Sequence, residues 1–411
     1  MNNSRFKKVC MIGLGYIGLP TAAIFASKKV NVVGLDINQH VVDTINQGKI
    51  HIVEPELDVL VHVAVKEKYL KAQTVPDEAD AFIIAVPTPF KGENHEPNLD
   101  YVEAATRNLA KVLKKGDLVV LESTSPVGTT EKIAKWLAQE RSDLSFPQQK
   151  GEESDIRIAH CPERVLPGKV IRELVENDRI IGGMTKKCTQ DAIELYKIFV
   201  KSECIATNAR TAEMVKLTEN ASRDVQIAFA NELSILCDKM DINVWELISL
   251  ANRHPRVNIL QPGCGVGGHC IAVDPWFIVN AYPEDARLIN TARLVNDEKP
   301  NFVISKVKKV VKELKNPTIA CLGLAFKPDI DDLRESPAIE ITKTLSDIEG
   351  YDILAVEPNI KFLPKVLENR KNVKLVDLKQ ALRDADILVV LVKHKEFIGL
   401  LSEKAIDFVN V

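Results

Sequence analysis

A chain of 411 residues is too long for one hydrophobic core, so we expect two or three domains. Its residues are 45% hydrophobic and 27% charged, as in ordinary globular proteins. The net charge of -3 lacks the basic excess that is typical of nucleic-acid-binding proteins, so we expect no nucleic-acid partner.

The eight cysteines are scattered along the chain, without a CxxC pair or zinc-finger spacing. This pattern argues against a disulfide framework and predicts a cytoplasmic protein without a bound metal. The uncharged segment 9–26 follows a basic start, as in a signal peptide, but glycines and a proline interrupt it. We interpret it as a strand, a glycine turn and a helix, and expect no membrane association.

The first half of the chain alternates short apolar runs with helical patterns, which is typical of a doubly wound parallel sheet. The predicted elements are a strand at 8–13, a helix at 20–27, and strands at 30–36, 81–86, 118–122, 157–161 and 179–182. Segment 142–155 is polar and contains a proline and a glycine, so we expect a surface loop there.

Segment 211–252 has a helical pattern and contains neither proline nor glycine. Apolar residues recur along it at spacings of three to eight positions. Helical regions of this length normally connect domains, and a leftover apolar face commonly forms a dimer interface. We therefore expect a homodimer.

A second α/β unit follows Pro300 and repeats the pattern of the first. Segment 318–326 parallels 9–16, and a strand at 351–358 contains Glu357 where the strand at 30–36 ends in Asp36. We interpret this as a duplication whose second copy lost the later glycines. The first copy is then expected to bind a dinucleotide and the second a different nucleotide.

The predicted fold is therefore α/β, with two Rossmann-like doubly wound parallel sheets joined by a long central helical region. The predicted domains are a dinucleotide-binding domain at 1–208, a helical dimerisation domain at 209–300, and a C-terminal nucleotide-binding domain at 301–411.

A G-x-G-x-x-G turn lies between the first predicted strand and helix, and its cofactor-binding positions are Gly13, Gly15, Tyr16, Ile17 and Gly18. The first glycine permits a tight turn, the second lets the backbone approach a pyrophosphate, and the third allows close helix–strand packing. The helix N-terminus favours phosphate binding. Asp36 follows about twenty residues on, where a carboxylate binds the ribose 2′-hydroxyl. No arginine follows it at once, so the sequence favours NAD over NADP.

Small hydroxyl residues follow two later strands, in the sequences VPTP at 86–89 and STSP at 123–126. Ligands bind at the carboxyl ends of the strands in sheets of this kind. The predicted cofactor contacts here are Pro87, Thr88, Thr124 and Thr130. Each threonine could equally be a helix cap.

Segment 263–270 reads GCGVGGHC and contains four glycines in six residues. Such a loop costs conformational entropy unless its backbone bends sharply or approaches a ligand. Cys10, Cys237 and Cys321 lie in apolar patterns and are expected to be buried, whereas the loop exposes Cys270. We interpret Cys270 as a reactive thiol, with a redox disulfide to Cys264 as the alternative.

A reacting thiol needs groups that hold the thiolate and the oxyanions that follow. Lys216 and Asn220 are spaced i, i+4 and therefore share one helix face. The alternative for Lys216 is an ordinary solvated surface lysine, and the pairing with Asn220 alone does not decide between the two.

The assembled motifs resemble the UDP-glucose/GDP-mannose dehydrogenase family. They are GLGYIGLP, VPTP, STSPVGTTE, CPERVLPG, EMVKLTEN, GVGGHCIAVDPW and GLAFKPDIDDLRESP, and they span nearly the whole chain. Within the family, the cysteine loop resembles that of members acting on UDP-N-acetyl-D-mannosamine, although Cys264 replaces their typical proline and leaves the loop less rigid. UDP-N-acetylglucosamine and UDP-glucose stay alternative substrates. Relatives usually continue beyond the position of Val411, and a missing nucleotide contact there would weaken substrate binding.

The resemblance implies a role for each candidate residue. It implies that Cys270 is the nucleophile, that Lys216, Asn220 and Asp274 surround the reacting C6 atom, and that Thr124 and Glu163 position or activate the hydrolytic water. The implied substrate contacts are Glu163, Arg164, Val165, Lys216, Asn220, Arg223, His254, Arg256, Gly267, Phe326 and Lys327. Phe326 and Lys327 would hold the UDP, and Arg334 would reach toward the cofactor. His254 and Arg256 would complete the site across the dimer interface.

The implied reaction is a four-electron oxidation of the sugar C6 hydroxyl to a carboxylate through a thiohemiacetal and a thioester on Cys270. Two other functions stay open. One is a single-step dehydrogenase in which Cys270 is structural, and the other is a nucleotide-sugar sensor without catalysis.

Overall fold

The computed structural model describes residues 4–92, 94–166, 168–400 and 402–411, and the chain forms two compact units, Met1–Thr218 and Glu219–Val411. The strands of the first unit are β1 (Lys8–Ile12), β2 (Asn31–Leu35), β3 (Leu70–Gln73), β4 (Ala81–Ile84), β5 (Phe90–Lys91), β6 (Glu96–Pro97), β7 (Leu118–Leu121), β8 (Arg157–His160), β9 (Arg179–Gly183) and β10 (Cys204–Asn208). Its helices are α1 (Gly18–Ser27), α2 (Gln39–Asn46), α3 (Leu57–Lys66), α4 (Asp100–Ala110), α5 (Thr129–Glu140), α6 (Pro147–Lys150), α7 (Val170–Glu176) and α8 (Lys186–Tyr196).

The boundary between the units falls within the long helix α9 (Ala209–Lys239). The other helices of the second unit are α10 (Val244–Ala251), α11 (Asp274–Ala281), α12 (Arg287–Val310), α13 (Pro337–Ser346), α14 (Lys365–Glu368) and α15 (Leu378–Asp384). Its strands are β11 (Thr318–Leu322), β12 (Asp352–Val356), β13 (Val373–Leu375), β14 (Ile387–Val390) and β15 (Ala405–Asp407).

The main sheet of the first unit has the strand order β10-β9-β8-β7-β4-β1-β2-β3. Its neighbouring strands are parallel except for β8 and β9, which are antiparallel. Successive side chains of a strand point to opposite faces, and here both faces are buried. Val9 and Met11 therefore pack in one apolar cluster and Cys10 and Ile12 in another.

The sheet of the second unit has the order β13-β12-β11-β14-β15, and its paired strands are parallel. It too is covered on both faces, since Ile319 and Cys321 pack in one cluster and Ala320 and Leu322 in another. The predicted α/β fold with two Rossmann-like sheets is thus confirmed.

Two local predictions need correction. Segment 142–155 is not simply a surface loop, because it contains α6 and a short 3-10 helix (Gly151–Glu153), and Phe146 lies fully buried in the core. The helical segment 211–252 is interrupted after Lys239, because Asp241 has a φ of 54° and the Asn243 side chain caps α10 by accepting hydrogen bonds from two backbone N–H groups.

Among the described residues, none of the helices has the length and apolar composition that crossing a bilayer requires.

The fully buried His160, at the end of β8, predicts acid sensitivity. Burial lowers its pKa to about 3, whereas an exposed histidine titrates at about 6.5. The folded chain then binds fewer protons than the unfolded chain between these values, so the free energy of unfolding falls as the pH falls through this window. By pH 4 the loss through His160 is roughly 3 kcal/mol.

We expect His160→Leu to remove most of this pH dependence, as measured by urea unfolding at pH 7 and pH 4. His40→Leu, which changes an exposed histidine, is the control and should keep the wild-type dependence. An identical pH dependence in all three proteins would contradict the assignment.

Candidate active site

The glycine turn after β1 has the geometry of a pyrophosphate cradle. Gly13 has a φ of 91°, and a Cβ there would lie 2.3 Å from the Ala85 carbonyl oxygen. A Cβ on Gly18 would lie 1.8 Å from the Gly13 carbonyl oxygen, so the helix packs directly on the turn. A Cβ on Gly15 would meet no atom within 4 Å, so this position is open to a ligand. Gly13 and Gly18 therefore have the tight-turn and close-packing geometry that the sequence predicts, and the approach of a pyrophosphate to Gly15 stays a prediction.

The Asp36 carboxylate lies beside this turn. Its Oδ2 accepts a hydrogen bond from the Leu14 N–H at 3.0 Å and its Oδ1 accepts one from the Asn38 N–H at 2.9 Å. Tyr16 is exposed, and Ile17 provides no side-chain cap where α1 begins. These residues fit the pyrophosphate and ribose of a dinucleotide.

The ends of β4 and β7 are joined by hydroxyl groups. The Thr88 hydroxyl donates to the Thr124 carbonyl oxygen at 2.6 Å, and the Ser123 hydroxyl donates to the Val86 carbonyl oxygen at 2.7 Å. Pro87 is exposed next to them. The structure therefore brings these predicted positions together at the carboxyl edge of the sheet, where ligands bind in this fold.

Thr130 lies differently from the other predicted cofactor contacts, because it is fully buried. Its N–H and its hydroxyl both donate to Glu213 Oε1, at 2.7 and 2.6 Å, and Glu213 Oε2 accepts from the Gly128 N–H. Glu213 thus caps the start of α5, a role that the sequence analysis missed. The Thr130 side chain is part of this cap, and its contact with the cofactor stays a prediction.

Glu163 and Lys216 form an electrostatic pair in the first unit. Glu163 follows β8, and burial raises its pKa to about 7, with the Lys216 and Arg179 cations opposing the rise. Its carboxylate accepts a hydrogen bond from the Val165 N–H. Lys216 is half-buried, and its role beside the reacting thiol stays a prediction. A carboxylate with this pKa can act as a base near neutral pH.

The segment that carries Arg164 and Val165 is held by long-range contacts. The Arg164 guanidinium donates to the Asp178 carbonyl oxygen at 3.2 Å. The buried Glu54 accepts hydrogen bonds from the Gly168 and Val170 N–H groups, both at 2.8 Å. Glu54 is a second positioning residue that the sequence analysis missed, because nothing in the local pattern connects it with a segment more than a hundred positions away.

The cysteine loop of the second unit packs tightly on the segment after β11. A Cβ on Gly267 would lie 2.5 Å from the Glu335 carbonyl oxygen, and one on Gly268 would lie 2.9 Å from the Phe326 ring. Gly268 also has a φ of 79°, which glycine adopts without strain. The loop therefore requires glycine, and it brings the predicted UDP contact Phe326 close to the residues that precede Cys270.

Cys270 is the one exposed cysteine of the eight, and it forms no disulfide. Its carbonyl oxygen accepts a hydrogen bond from the Asp274 N–H at 2.8 Å, which fixes the turn into α11. Cys264 is buried, and burial raises its pKa to about 12, so its thiol stays protonated. The alternative of a Cys264–Cys270 disulfide is not found in the structure.

Asp274 and Asn220 are brought together in the second unit. Asp274 is buried, and its Oδ2 accepts a hydrogen bond from the Asn220 side-chain amide. This bond connects α9 with the first residue of α11, four positions after Cys270. Two of the predicted partners of the thiol are therefore fixed relative to its loop.

The remaining candidate positions lie at the surface of the second unit. Arg223, His254, Arg256 and Lys327 are exposed. Arg334 forms an ion pair with Asp332 at 2.6 Å. Their contacts with a partner subunit, the substrate or the cofactor stay predictions.

A Rossmann-type glycine turn with a carboxylate at the end of the second strand, followed by a second parallel α/β sheet, is typical of a nucleotide-dependent dehydrogenase. Three models of the UDP-glucose/GDP-mannose dehydrogenase family match the chain: the NAD binding domain at residues 7–200, the central domain at 210–298 and the UDP binding domain at 320–409. The chain belongs to this family and is an NAD-dependent UDP-sugar dehydrogenase.

The chain is similar to named members over nearly its full length. It is 73% identical to the UDP-N-acetyl-D-mannosamine dehydrogenase of Campylobacter jejuni, with 98% of this chain and 100% of the relative covered. It is 65% identical to the NDP-N-acetyl-D-galactosaminuronic acid dehydrogenase of Ralstonia nicotianae, with 97% and 93% covered. Among solved structures, that of UDP-D-ManNAc dehydrogenase from Pyrococcus horikoshii matches with a TM-score of 0.87 and 38% identity, and 98% and 95% of the two chains are covered.

The packing of the cysteine loop predicts that Gly268→Ala lowers the rate of NADH formation from UDP-sugar by at least about tenfold. The new methyl group would strain the backbone and displace the Phe326 ring, and displacing a reacting group by about 1 Å can cost a hundredfold in rate. Gly263→Ala is the matched control, because a Cβ there meets no atom within 4 Å. Equal activities of the two variants, at equal melting temperatures, would contradict this role of Gly268.

Proposed function

We propose that this chain is a UDP-N-acetyl-D-mannosamine 6-dehydrogenase. It oxidises the sugar C6 hydroxyl to a carboxylate and supplies UDP-N-acetyl-D-mannosaminuronate for cell-surface polysaccharide synthesis. The observation that carries the proposal is the exposed Cys270 in a glycine loop, with the Asn220–Asp274 bond fixed four residues away. The 73% identity to a relative of that name supports the choice of sugar.

The first oxidation converts the C6 alcohol to an aldehyde. Gly13, Gly15, Gly18 and Asp36 would hold NAD, which would supply a hydride acceptor, one NAD molecule for each of the two oxidations. Lys216, or a water held by Asp274, accepts the proton of the C6 hydroxyl.

Covalent capture follows. The Cys270 sulfur adds to the aldehyde carbon and gives a thiohemiacetal, whose oxyanion is stabilised by the Lys216 ammonium and the Asn220 amide. Loss of the second hydride from this carbon leaves a thioester. The thiol retains the aldehyde and makes the second oxidation possible without prior hydration of the aldehyde.

Hydrolysis of the thioester completes the reaction. Glu163 is the proposed base for the attacking water, and Thr124 is proposed to help position that water. Water adds to the thioester carbon, the carbon–sulfur bond breaks, and the Cys270 thiol is regenerated. The sum is one alcohol, two NAD+ and one water giving one carboxylate, two NADH and three protons.

The domain roles and the assembly are part of the same proposal. We assign NAD binding to 1–208, dimerisation and catalysis to 209–300, and UDP binding to 301–411, in a cytoplasmic homodimer. Exposed Phe229, Leu236 and Met240 on α9 and in the turn after it supply apolar surface for the dimer interface. In that dimer, His254 and Arg256 complete the substrate site of the partner subunit.

The stoichiometry tests this function against its alternatives. We expect two NADH per UDP-N-acetyl-D-mannosamine consumed, as read from the NADH absorbance and from chromatography of the sugar nucleotide. A yield of one NADH with free aldehyde would instead support a single-step dehydrogenase, and no NADH with any sugar would support a sensor.

The same assay over a panel of UDP-sugars tests the substrate. UDP-N-acetylgalactosamine belongs in the panel because of the Ralstonia relative, and UDP-N-acetylglucosamine and UDP-glucose belong there as the alternatives from the sequence. We expect the highest kcat/KM with UDP-N-acetyl-D-mannosamine, and a higher value with another sugar would reassign the substrate.

The thiol is tested by Cys270→Ser, which we expect to lower kcat by about a hundredfold or more, because an alkoxyl group is a much weaker nucleophile and leaving group than a thiolate. Cys264→Ala changes the buried thiol of the same loop and should retain more than about half of the activity. Full turnover of Cys270→Ser would assign Cys270 a structural role.

A further inference from the structure

A buried charge pair lies at the carboxyl end of the sheet, next to the proposed base. Glu122 follows β7, Cys161 follows β8, and Arg179 begins β9. The Arg179 Nη1 atom lies 2.9 Å from Glu122 Oε1, and the two side chains are 5% and 0% exposed. None of these groups has a role in the proposed mechanism.

The strand register brings this pair to Glu163. β8 and β9 are antiparallel, with His160 opposite Gly182. The pairing ends at His160; Glu163 follows three residues later, and Arg179 lies three residues before Gly182, on the same side of the pairing. Arg179 therefore lies on the strand that pairs with the one preceding the base.

The remaining contacts of the pair hold it in one geometry. The Tyr196 ring lies 4.8 Å from the Arg179 guanidinium carbon, and its hydroxyl lies 3.4 Å from Glu122 Oε1. Arg179 Nη1 also lies 3.8 Å from the Cys161 sulfur, two residues before Glu163. Among the residues that the structure describes, Glu122 Oε2 has no hydrogen-bond partner. These contacts hold the Arg179 guanidinium close to the turn that carries Glu163.

Stability alone does not explain a pair of this kind. Taking two charges out of water costs several kcal/mol per ion, and apolar residues of similar volume are often at least as stabilising. A fixed charge close to a catalytic base, in contrast, changes the pH range in which that base is ionised. The pair is therefore better explained by the base beside it.

We propose that Glu122 and Arg179 are positioning residues for Glu163 and act as a buried charge pair behind the base of thioester hydrolysis. This inference rests on the proposed function, in which Glu163 activates the water.

Four charged groups from different elements face Glu163: Lys216 from α9, Arg179 from β9, Glu122 after β7 and Glu173 from α7. Burial raises the pKa of Glu163 to about 7, Lys216 and then Arg179 oppose the rise, and Glu122 and Glu173 add to it. The rate of hydrolysis should therefore fall as the pH falls through about 7. Replacing Glu122 or Arg179 should move this midpoint in a direction that the sign of the lost charge determines.

The test uses Glu122→Gln in the full-length enzyme. This change removes a negative charge and leaves Arg179 uncompensated, and both effects favour ionised Glu163. We expect the midpoint of the pH profile of hydrolysis to move to lower pH by at least about 0.5 units. When each rate is divided by that protein's own plateau rate, the variant should then hydrolyse thioester about threefold faster than the wild type at pH values well below the midpoint. The rate is read from quenched-flow decay of the thioester after mixing with NAD and the UDP-sugar substrate.

The double variant Glu122→Gln/Arg179→Gln keeps a neutral, hydrogen-bonding pair and tests the sign. Arg179 influences Glu163 more strongly than Glu122 does, so loss of both charges should move the midpoint above the wild-type value. Tyr196→Phe removes a hydroxyl without changing charge and is the control, with an unchanged midpoint. If the single variant does not fold, the double variant still tests whether the charges of Glu122 and Arg179 set the midpoint of the pH profile.

Unchanged midpoints with lower amplitudes in the charge variants would overturn the inference and leave the pair a structural role. Glu163→Gln separates this failure from a failure of the proposed function. It should still form two NADH per active site in a single turnover and then accumulate thioester. If it hydrolyses thioester with the wild-type pH profile, then Glu163 is not the base.

Discussion

A carboxylate at the end of the second strand holds the turn after the first strand in both compact units. Asp36 accepts a hydrogen bond from the Leu14 N–H, and Glu357 accepts one from the Leu324 N–H. Each turn also begins with a glycine of positive φ whose N–H bonds to the last residue of the neighbouring strand. The two units thus share the same hydrogen bond between a strand-end carboxylate and a glycine turn, as the repeated sequence pattern predicts. This bond shapes the edge of each sheet at which a nucleotide is expected to bind.

The two turns differ in how much of this carboxylate remains for a ligand. Asp36 is half-buried, whereas Glu357 is fully enclosed by the Leu324 and Ala325 N–H groups, the Asn359 backbone N–H and side-chain amide, and the His394 ring, whose Nε2 lies 2.9 Å away. Glu357 therefore has no oxygen left for a ribose. This explains in physical terms why only the first unit has the features of a dinucleotide site, although both have the same sheet.

The parts of the fold that the sequence predicts are those with a strong local signal. Strands β1, β4 and β7 are buried on both faces and therefore appear as unbroken apolar runs. Strand β10 was missed because it lies at the edge of the sheet and its residues are mostly exposed. The end of α9 could not be predicted from the absence of proline and glycine, because it depends on the Asn243 side chain capping the next helix.

The residues of the candidate site also fall into those with a local sequence signal and those without one. The glycine segments were predictable, because few chemical needs other than sharp turns and close ligand approach justify their entropic cost. The long-range carboxylates were not, since Glu54, Glu122 and Glu213 look like solvated acids in their local sequence. Each is buried, and each binds either backbone N–H groups of a distant loop or a single arginine.

These buried carboxylates explain how the loops near the candidate site are held in place. A buried carboxylate without partners is costly, so once it is enclosed it holds its donors firmly. Glu54 fixes the segment after Arg164 and Val165, Glu213 fixes the start of α5, and Asp274 fixes the turn after Cys270 through Asn220. The order of these loops therefore depends in part on a small number of charge-assisted hydrogen bonds. Loss of any one of these acids should therefore disturb a functional loop more than it disturbs the sheet beneath it.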